Sequence, residues 1–276
     1  MENVLIVGDM HCKQTWILPY VDSVIKGKDV NRVVFLGDYL DDFLCHGDEA
    51  MDQLEFHLKW LKKASRNVDV VHLCGNHDWS YLQESDGSYA SGHDFSIHAQ
   101  ARDVLEKFKI KMSERVGQCV CSHAGITESW IMSLDLQQDE ANAVDLLNDM
   151  YAKSDNRLNS CGELRGGSDA PGPLWADGME TESDEGLDLD QIVGHTPVCV
   201  ASVKRRRNGA FVAYCDTFST NASGRAMGDG SLLLAHVNGT VQSFETLRPK
   251  DVGFASWENQ MKQRSFDIVM RKAGLL

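Results

Sequence analysis

The stretch VVFLGDYLDD, residues 33–42, runs from apolar side chains into three carboxylates within five residues. Its first residues are typical of a buried strand, because β-branched and aromatic side chains pack well on a pleated sheet. Asp38, Asp41 and Asp42 then follow where that strand ends. Like charges so close together repel, and a carboxylate beside a core loses hydration unless something compensates. Either water in an ordinary acidic turn or a bound cation must stabilise them.

The composition limits the classes of protein to consider. The chain has 276 residues, and no boundary is evident along it, so we expect a single domain over 1–276. Its 42% hydrophobic and 25% charged residues are typical of a soluble globular protein. A net charge of −14 argues against a general affinity for nucleic acid or for an anionic membrane, since both require a basic surface. The opening MENVLIVGDM resembles neither a signal peptide nor a membrane span.

Eight cysteines are scattered without the spacing of a disulfide framework. Cys74, Cys199 and Cys215 lie in apolar runs, so we expect buried free thiols in a reducing, cytoplasmic compartment. The CVC at 119–121 is half of a possible metal site, but no second pair accompanies it. Structural thiols are therefore the favoured interpretation.

Short β-rich runs recur along the first 194 residues, at 3–7, 32–36, 68–73, 118–122 and 190–194. Amphipathic stretches separate the early runs. Residues 47–64 place apolar side chains at helical spacing, at Met51, Leu54, Leu58 and Leu61. Strands that alternate with helices predict βαβ units and a largely parallel sheet.

The pattern changes after Gly125. Residues 137–152 read as a helix with one apolar face, formed by Val144, Leu147 and Met150. A Gly/Pro/Ser-rich connector follows at 162–178, and 179–190 then holds six acidic residues and no basic one. A solvated loop is the expected structure of this acidic segment, with a lid over a cleft as the alternative.

The last part of the chain has the pattern of β-hairpins. Asn208-Gly209 and Asn238-Gly239 each lie between two extended runs, which predicts type I′ turns and antiparallel pairing. Residues 251–274 close the chain with a helix. The basic run KRRR at 204–207 is expected to be a solvated hairpin end.

Polar side chains follow all five β-rich runs, four of them beside a glycine: Asp9 and His11, Asp38 and Asp41, Asn76 and His77, His123, and His195. In open α/β sheets this edge is where ligands bind, and glycine lets the chain turn sharply there. Residues two apart in an extended segment share a face, so Asp9 and His11 can bind one ion. Carboxylate, imidazole and amide oxygen together suit manganese, iron, zinc or magnesium. Metal is therefore the most economical partner for the charge of Asp38.

The blocks GDMH (8–11), GDYLDD (37–42), GNHD (75–78), SHAG (122–125) and GHTP (194–197) resemble the ordered blocks of the calcineurin-like metallophosphoesterases. The fit is closest to the branch with the phosphoprotein phosphatases and their bacterial and phage relatives. A later stretch, 215–237, also resembles that branch. The resemblance spans roughly residues 4 to 237 and implies an α/β fold. In that fold two mixed β-sheets pack as a sandwich flanked by helices, here with a helical and acidic-loop insertion around 127–190.

The resemblance also implies roles for individual residues. It assigns six of them to two divalent metal ions: Asp9 and His11 to the first, Asp38 to both, and Asn76, His123 and His195 to the second. Manganese is the first expectation for both ions, with iron, zinc or magnesium as alternatives. The implied reaction is hydrolysis of a phosphate monoester by a hydroxide that bridges the metals. His77 is then the general acid, oriented by Asp41.

One block departs from the family pattern. Where the family commonly has Asp-Arg-Gly, this chain has Asp41-Asp42-Phe43, so the arginine expected to bind the substrate phosphate is absent. With Asp42 there we expect weaker binding of a dianionic monoester through that position. Arg165 and Arg225 are the candidate replacements, with surface positions as the alternative for both. The block GNHD also ends in Asp78, where phosphoprotein phosphatases usually have Glu.

The substrate is expected to be phosphorylated: a phosphoprotein, a small phosphate ester or a nucleotide. Two rival functions stay open, namely hydrolysis of dinucleoside polyphosphates or nucleotide diesters, and a catalytically inactive binding protein. Membrane association and general nucleic-acid binding are not expected. His46, just after the acidic turn, is a further candidate to reach the substrate.

Overall fold

The computed structural model describes residues 1–83, 89–134 and 142–275. Within these ranges the strands are β1 Glu2–Val7, β2 Arg32–Phe35, β3 Asp69–His72, β4 Ser113–Val116, β5 Cys119–Ser122, β6 Gln191–Val193, β7 Ser202–Arg205, β8 Phe211–Tyr214, β9 Leu232–Asn238 and β10 Thr240–Leu247. The helices are α1 Gln14–Gly27, α2 Gly47–Ala64, α3 Asn76–Leu82, α4 His98–Leu105, α5 Glu128–Ser133, α6 Ala143–Ala152, α7 Gly178–Ser183 and α8 Trp257–Lys272. None of these helices combines the length and the apolar character that a membrane crossing requires.

Ten strands form two mixed sheets of five, as the resemblance implies. The first sheet has the order β10-β9-β1-β2-β3, in which β1, β2 and β3 are parallel and β9 is antiparallel to β1. The second has the order β4-β5-β6-β8-β7, with β5, β6 and β8 parallel. All five β-rich runs of the sequence are strands. The sequence pattern does not indicate β4, because only its end residues are buried and its middle is the charged pair Glu114-Arg115.

Side chains that alternate along each strand build the layers. In β1, Val4 and Ile6 join a core cluster with Cys121 and Ile192 of the second sheet. Leu5 and Val7 point the other way and join a cluster with residues of helices. Because successive side chains of a strand face opposite sides of a sheet, the shared cluster is the interior of a sandwich.

Helices cover both outer faces of the sandwich. The cluster outside the first sheet contains side chains of α1, α2, α4 and α8, among them Leu18, Leu54, Leu105 and Trp257. The cluster outside the second sheet contains Val120 of β5 with Trp130 of α5 and Leu147 and Met150 of α6. The order of layers is therefore helix, sheet, sheet, helix.

The predicted helices are present. The amphipathic stretch 47–64 coincides with α2, where Met51 and Leu54 are buried. The stretch 137–152 contains α6, while its residues 137–141 lie outside the described residues. Between β5 and β6 the described chain is helical or irregular, which fits the insertion predicted around 127–190.

Both C-terminal hairpins are antiparallel, but their turns are not of type I′. That turn requires positive φ at both central residues. Gly209 (φ 100°) and Gly239 (φ 75°) meet the requirement, and the asparagine before each of them does not. Beyond the hairpins, β8 pairs in parallel with β6, so the C-terminal part is not wholly antiparallel.

The acidic segment 179–190 is only in part the solvated loop that the sequence predicts. Its first half lies in α7, whose N-cap Asp177 accepts a hydrogen bond from the backbone of Met179 at 2.9 Å. The segment also lies against the basic hairpin end. Opposite charges face each other across this contact: Glu182 lies 3.5 Å from Lys204, and Glu185 lies 3.4 Å from Arg207. Buried Arg206 donates to the carbonyl of Leu187 at 3.0 Å, whereas Lys204, Arg205 and Arg207 are exposed, as predicted for a solvated hairpin end.

The cysteines follow the prediction with two exceptions, of which Cys161 is half-buried. Six of the eight are buried free thiols, including Cys119 and Cys121 in the sandwich interior. Cys199 is exposed, contrary to expectation, because its apolar run precedes β7 instead of forming an interior strand.

Candidate metal centre and active site

The turns after β1 and β2 are hydrogen-bonded to each other. The backbone N–H groups of Met10 and His11 both donate to the carbonyl of Asp38, at 3.0 and 2.8 Å. The N–H of Cys12 donates to the carbonyl of Tyr39 at 3.1 Å. Since parallel strands end at the same edge of a sheet, this pairing brings the polar residues of the two turns to one place.

Strained backbone marks the same place. Non-glycine residues with positive φ are uncommon. Of the eight in the described ranges, five lie in these strand-end turns: His11, Cys12, Asp38, Asp41 and His195. Each costs on the order of 1–3 kcal/mol and persists only where the surroundings hold it, which is typical of functional sites.

Asp78 ties the turns after β2 and β3 together. Its Oδ2 accepts from the N–H of Asp38 at 2.7 Å and of Gly75 at 2.8 Å, and its Oδ1 accepts from the N–H of Tyr39 at 3.0 Å. The side chain is fully buried, and burial raises its pKa to about 6. Sequence reasoning noted Asp78 only as a departure from the family pattern, because a bond to backbone 40 residues away has no local signal.

Two of the strand-end glycines are required by close approach. A Cβ at Gly75 would lie 2.0 Å from Oδ1 of Asp38, and a Cβ at Gly194 would lie 2.2 Å from Oδ1 of Asp9. Any side chain at either position would therefore displace a carboxylate from the site. This is the role predicted for glycine beside these polar residues.

Four acceptor atoms converge at one end of the site. Nε2 of His123 lies 2.9 Å from Oδ1 of Asn76, 3.1 Å from Nδ1 of His195 and 3.4 Å from Oδ2 of Asp38. Nδ1 of His195 also lies 3.1 Å from Oδ1 of Asn76. The other ring nitrogen of His123 lies 2.9 Å from the carbonyl of Leu36, which leaves Nε2 with its lone pair toward the cluster. We call these four residues the second cluster.

The first cluster shares Asp38 and adds His11 and His77. Nε2 of His11 lies 3.7 Å and Nε2 of His77 lies 4.0 Å from Oδ2 of Asp38. Nδ1 of His11 faces the carbonyl of Asp41 at 2.9 Å, so its Nε2 is also free to accept. Among the described residues, these two clusters are the groups of three or more histidine, cysteine or acidic side chains with ligand atoms close enough for one ion.

Asp9, predicted as a ligand of the first ion, lies beside the clusters and not within them. Both its carboxylate oxygens accept from the N–H of His195 at 3.0 Å. Burial, Asp216 and Asp38 raise the pKa of Asp9 well above its usual range. Its place in the site is thus next to the ligand atoms, while His77, predicted as the general acid, lies within the first cluster.

The donor set fits a divalent cation. Asp9 and Asp38 are buried carboxylates without an ion pair to any lysine or arginine among the described residues, and burial raises the pKa of Asp38 to about 8. Burial also lowers the pKa of His11 and His195 well below the usual range and that of His123 to about 3, so these rings are neutral. A metal ion binds neutral imidazoles, and its positive charge would balance the carboxylate that they surround.

His77 is held by Asp41. Nδ1 of His77 lies 2.9 Å from Oδ2 of Asp41, whose Oδ1 accepts from the hydroxyl of Tyr81 at 2.6 Å. Burial opposes a charge on His77, but Asp38 and the hydrogen-bonded Asp41 outweigh it and raise the pKa of His77 to about 9. The ring is therefore fixed with Nδ1 protonated and Nε2 toward Asp38.

The negative charge of Asp42 is paired with two cations, so it is not free to repel a substrate. Its Oδ2 lies 2.8 Å from Nζ of Lys13, and its Oδ1 lies 2.9 Å from Nη2 of Arg264. Burial raises the pKa of Asp42, and the two cations outweigh it and hold that pKa well below the usual range. The three carboxylates of residues 33–42 are thus stabilised differently: Asp42 by two cations, Asp41 by His77 and Tyr81, and Asp38 by neighbours that suit a metal.

The structure brings one of the two candidate arginines to the site. Arg165 lines the cleft of about 340 Å³ together with His77, His195 and Trp175. Its guanidinium donates to Oγ1 of Thr196 at 2.8 Å and lies 3.0 Å from Asp177. Arg225 is exposed and is not among the residues that line this cleft, whereas the candidate His46 is.

The fold and this site together define a metal-dependent phosphoesterase. The family model described as calcineurin-like phosphoesterase matches residues 2–199, more than half of the chain. The chain belongs to the calcineurin-like phosphoesterase family. No curated protein sequence matches it closely enough to count as a relative.

Solved structures agree on the fold. A cold-active protein-tyrosine phosphatase of a psychrophilic Shewanella species is 22% identical, with 90% of this chain and 81% of that chain covered and a TM-score of 0.55. A hypothetical protein from Pyrococcus horikoshii is 9% identical, with 100% of this chain and 95% of that chain covered and a TM-score of 0.51. At these identities the likeness concerns the fold alone.

Proposed function

We propose that this protein hydrolyses phosphate monoesters with two divalent metal ions, manganese first among the candidates. The observation that carries the proposal is the position of Asp38, whose Oδ2 is shared by the first and second clusters. A carboxylate common to two groups of ligand atoms would be a ligand of both ions. Asp9 and His11 would complete the first ion's ligands, and Asn76, His123 and His195 those of the second.

Bound ions of this kind supply Lewis-acid stabilisation of phosphate oxygens and lower the pKa of water. The chain's own residues do the rest. His77 holds a proton at Nε2 when it is charged, and it delivers that proton to the leaving oxygen as the phosphorus–oxygen bond breaks. Asp41 fixes the tautomer through its 2.9 Å contact with Nδ1 and favours the charged form.

Arg165 is proposed to bind the substrate phosphate in place of the arginine absent at position 42. It lines the same cleft as His77 and His195, and its guanidinium is oriented by Thr196 and Asp177. A planar guanidinium that is already held in place can present two N–H groups to one phosphate. Arg225 lies outside this cleft and has no part in the proposal.

The experiment is a substrate panel with the purified chain and added manganese. A small phosphomonoester, a phosphopeptide, a matched phosphodiester and a dinucleoside polyphosphate are compared by kcat/KM. Faster turnover of the monoesters is the expected result. Preference for the diester or the dinucleotide would contradict the monoester assignment, and no turnover of any member would contradict catalysis. The burial of six of eight cysteines supports the further proposal of a reducing, cytoplasmic location.

A further inference from the structure

Three charged side chains form a buried group beside the cleft. Lys13, Asp42 and Arg264 are 0, 6 and 6% exposed, and their two ion pairs measure 2.8 and 2.9 Å. We call them the charge trio. Taking such groups out of water costs several kcal/mol per ion, so the trio is weak evidence for stability by itself. What it connects is more informative.

The trio links helix α8 to two catalytic turns. Nζ of Lys13 also donates to the carbonyl of His11 at 2.9 Å. Asp42 directly follows Asp41, the residue that holds His77. Arg264 lies in the middle of α8, which is anchored in the core by Trp257 and Met261 of the same helix. A rigid helix is thus tied through two ion pairs to the turn after β1 and to the turn after β2.

Both turns contain strained backbone. His11 and Cys12 have φ of 41° and 54°, and Asp41 has φ of 60°. A left-handed conformation costs a non-glycine residue roughly 1–2 kcal/mol, so each turn would relax if nothing held it. The bond from Lys13 to the carbonyl of His11 closes the first turn, and the anchored carboxylate of Asp42 fixes the end of the second.

We infer that Arg264 is a positioning residue of the metal site. Through Asp42 and Lys13, it holds the turns of His11 and Asp41 in the conformation that points their side chains into the site. The inference rests on the proposed function, because that function makes His11 a metal ligand and Asp41 the partner of the proton donor His77. Helix α8, which lies far along the chain from both turns, would thus contribute to metal affinity.

The test measures Mn²⁺ binding to the metal-free full chain by calorimetry, without any turnover. Arg264→Met removes the charge and keeps most of the volume. Outer partners of metal ligands typically change metal affinity about 10–100-fold, and we expect a loss in that range for this variant. Arg264→Lys should recover part of it. Arg271→Met is the matched control, since Arg271 lies on the same helix, is 67% exposed and pairs only distantly with Glu49 at 3.9 Å.

The outcomes separate positioning from stability. A folded Arg264→Met chain with a lower melting temperature and unchanged Mn²⁺ affinity would overturn the inference. If that variant does not fold, Asp42→Asn tests the same links with little change of shape, and unchanged affinity there would overturn it equally. A wild-type chain that binds no Mn²⁺ would overturn both this inference and the proposed function. Binding in the wild type with no loss in the variants would count against the inference alone.

Discussion

Nδ1 of His77 lies 2.9 Å from the carboxylate of Asp41, while Nε2 of the same ring lies 4.0 Å from Asp38. One ring nitrogen is therefore fixed by a carboxylate, and the other points to the metal clusters. A carboxylate can orient a histidine that donates a proton, and it can equally orient a histidine that binds a metal ion. The two roles differ in what is lost when His77 is replaced.

If His77 is the general acid, His77→Asn should lower kcat about 10²–10⁴-fold on an alkyl phosphate. The loss should shrink on an activated aryl phosphate, because that leaving group departs without a proton. Metal content should stay at the wild-type level. Equal losses on both substrates together with a lost ion would instead make His77 a ligand. Asp41→Asn should show a smaller defect of the same pattern, and Tyr81→Phe a smaller one still.

Arg165 should act on substrate binding. A hydrogen bond to a charged group contributes about 1.5–3 kcal/mol, so Arg165→Met should raise KM for a small phosphomonoester about 10–100-fold. Metal content should not change, since Arg165 bonds to Thr196 and Asp177 and not to the clusters. Exposed Arg225 provides the control, and Arg225→Met should leave KM as it is. An unchanged KM in Arg165→Met would show that phosphate is bound by other groups.

Asp42→Arg should not restore the phosphate-binding arginine of the family. The new guanidinium would stand against Lys13 and Arg264 in a buried position. Breaking a buried ion pair by removing one partner costs about 3–5 kcal/mol, so the free energy of unfolding should fall by at least that much. Denaturant unfolding measures it. A variant with wild-type stability and a lower KM would contradict the assignment of Asp42 to the charge trio.

The buried pair His57 and His72 should make stability depend on pH. Their Nε2 atoms lie 3.1 Å apart, and burial lowers the pKa of His72 to about 3 and that of His57 well below its usual range. In the unfolded chain both titrate near 6.5. As pH falls below that value, only the unfolded chain takes up these protons, so stability is present above pH 6.5 and is lost toward pH 3.

From pH 7 to pH 5 this loss is roughly 2 kcal/mol per histidine. The double variant His57→Phe/His72→Phe should therefore lose less stability over that interval than the wild type. Urea unfolding at both pH values measures the difference. Other buried histidines contribute equally to both chains and cancel in the comparison. Parallel pH dependence in the two proteins would mean that the pair takes up protons in the folded state.

The polar residues at the strand ends could be predicted from the sequence, because each follows its strand directly along the chain. A β-rich run followed by Gly-Asp or Gly-His places a side chain at a known edge of a sheet, and the structure brings Asp38, Asn76, His123 and His195 together there. The charge trio could not be predicted. Asp42 and Arg264 are 222 residues apart, and their pairing depends on how α8 packs against the core.

The same limit explains the errors. The acidic run 179–190 predicts a solvated loop, because the basic partners of Glu182 and Glu185 on the β7–β8 hairpin follow some twenty residues later in the chain. At the β7–β8 turn the predicted turn type is wrong because Asn-Gly also fits a longer hairpin loop in which the glycine alone has positive φ. Buried His57 and His72 carry no local signal, because their contact joins a helix to a strand.

The bridging role of Asp38 is tested most directly by metal stoichiometry. Purified metal-replete wild-type protein should contain two divalent ions per chain, measured by elemental analysis against protein concentration. Asp38→Asn should lose more metal than any other single ligand variant and most of its hydrolytic activity, because both clusters share this carboxylate. At most one ion in the folded wild-type chain, or an Asp38→Asn variant with full metal content and a near-wild-type rate, would contradict the two-metal site.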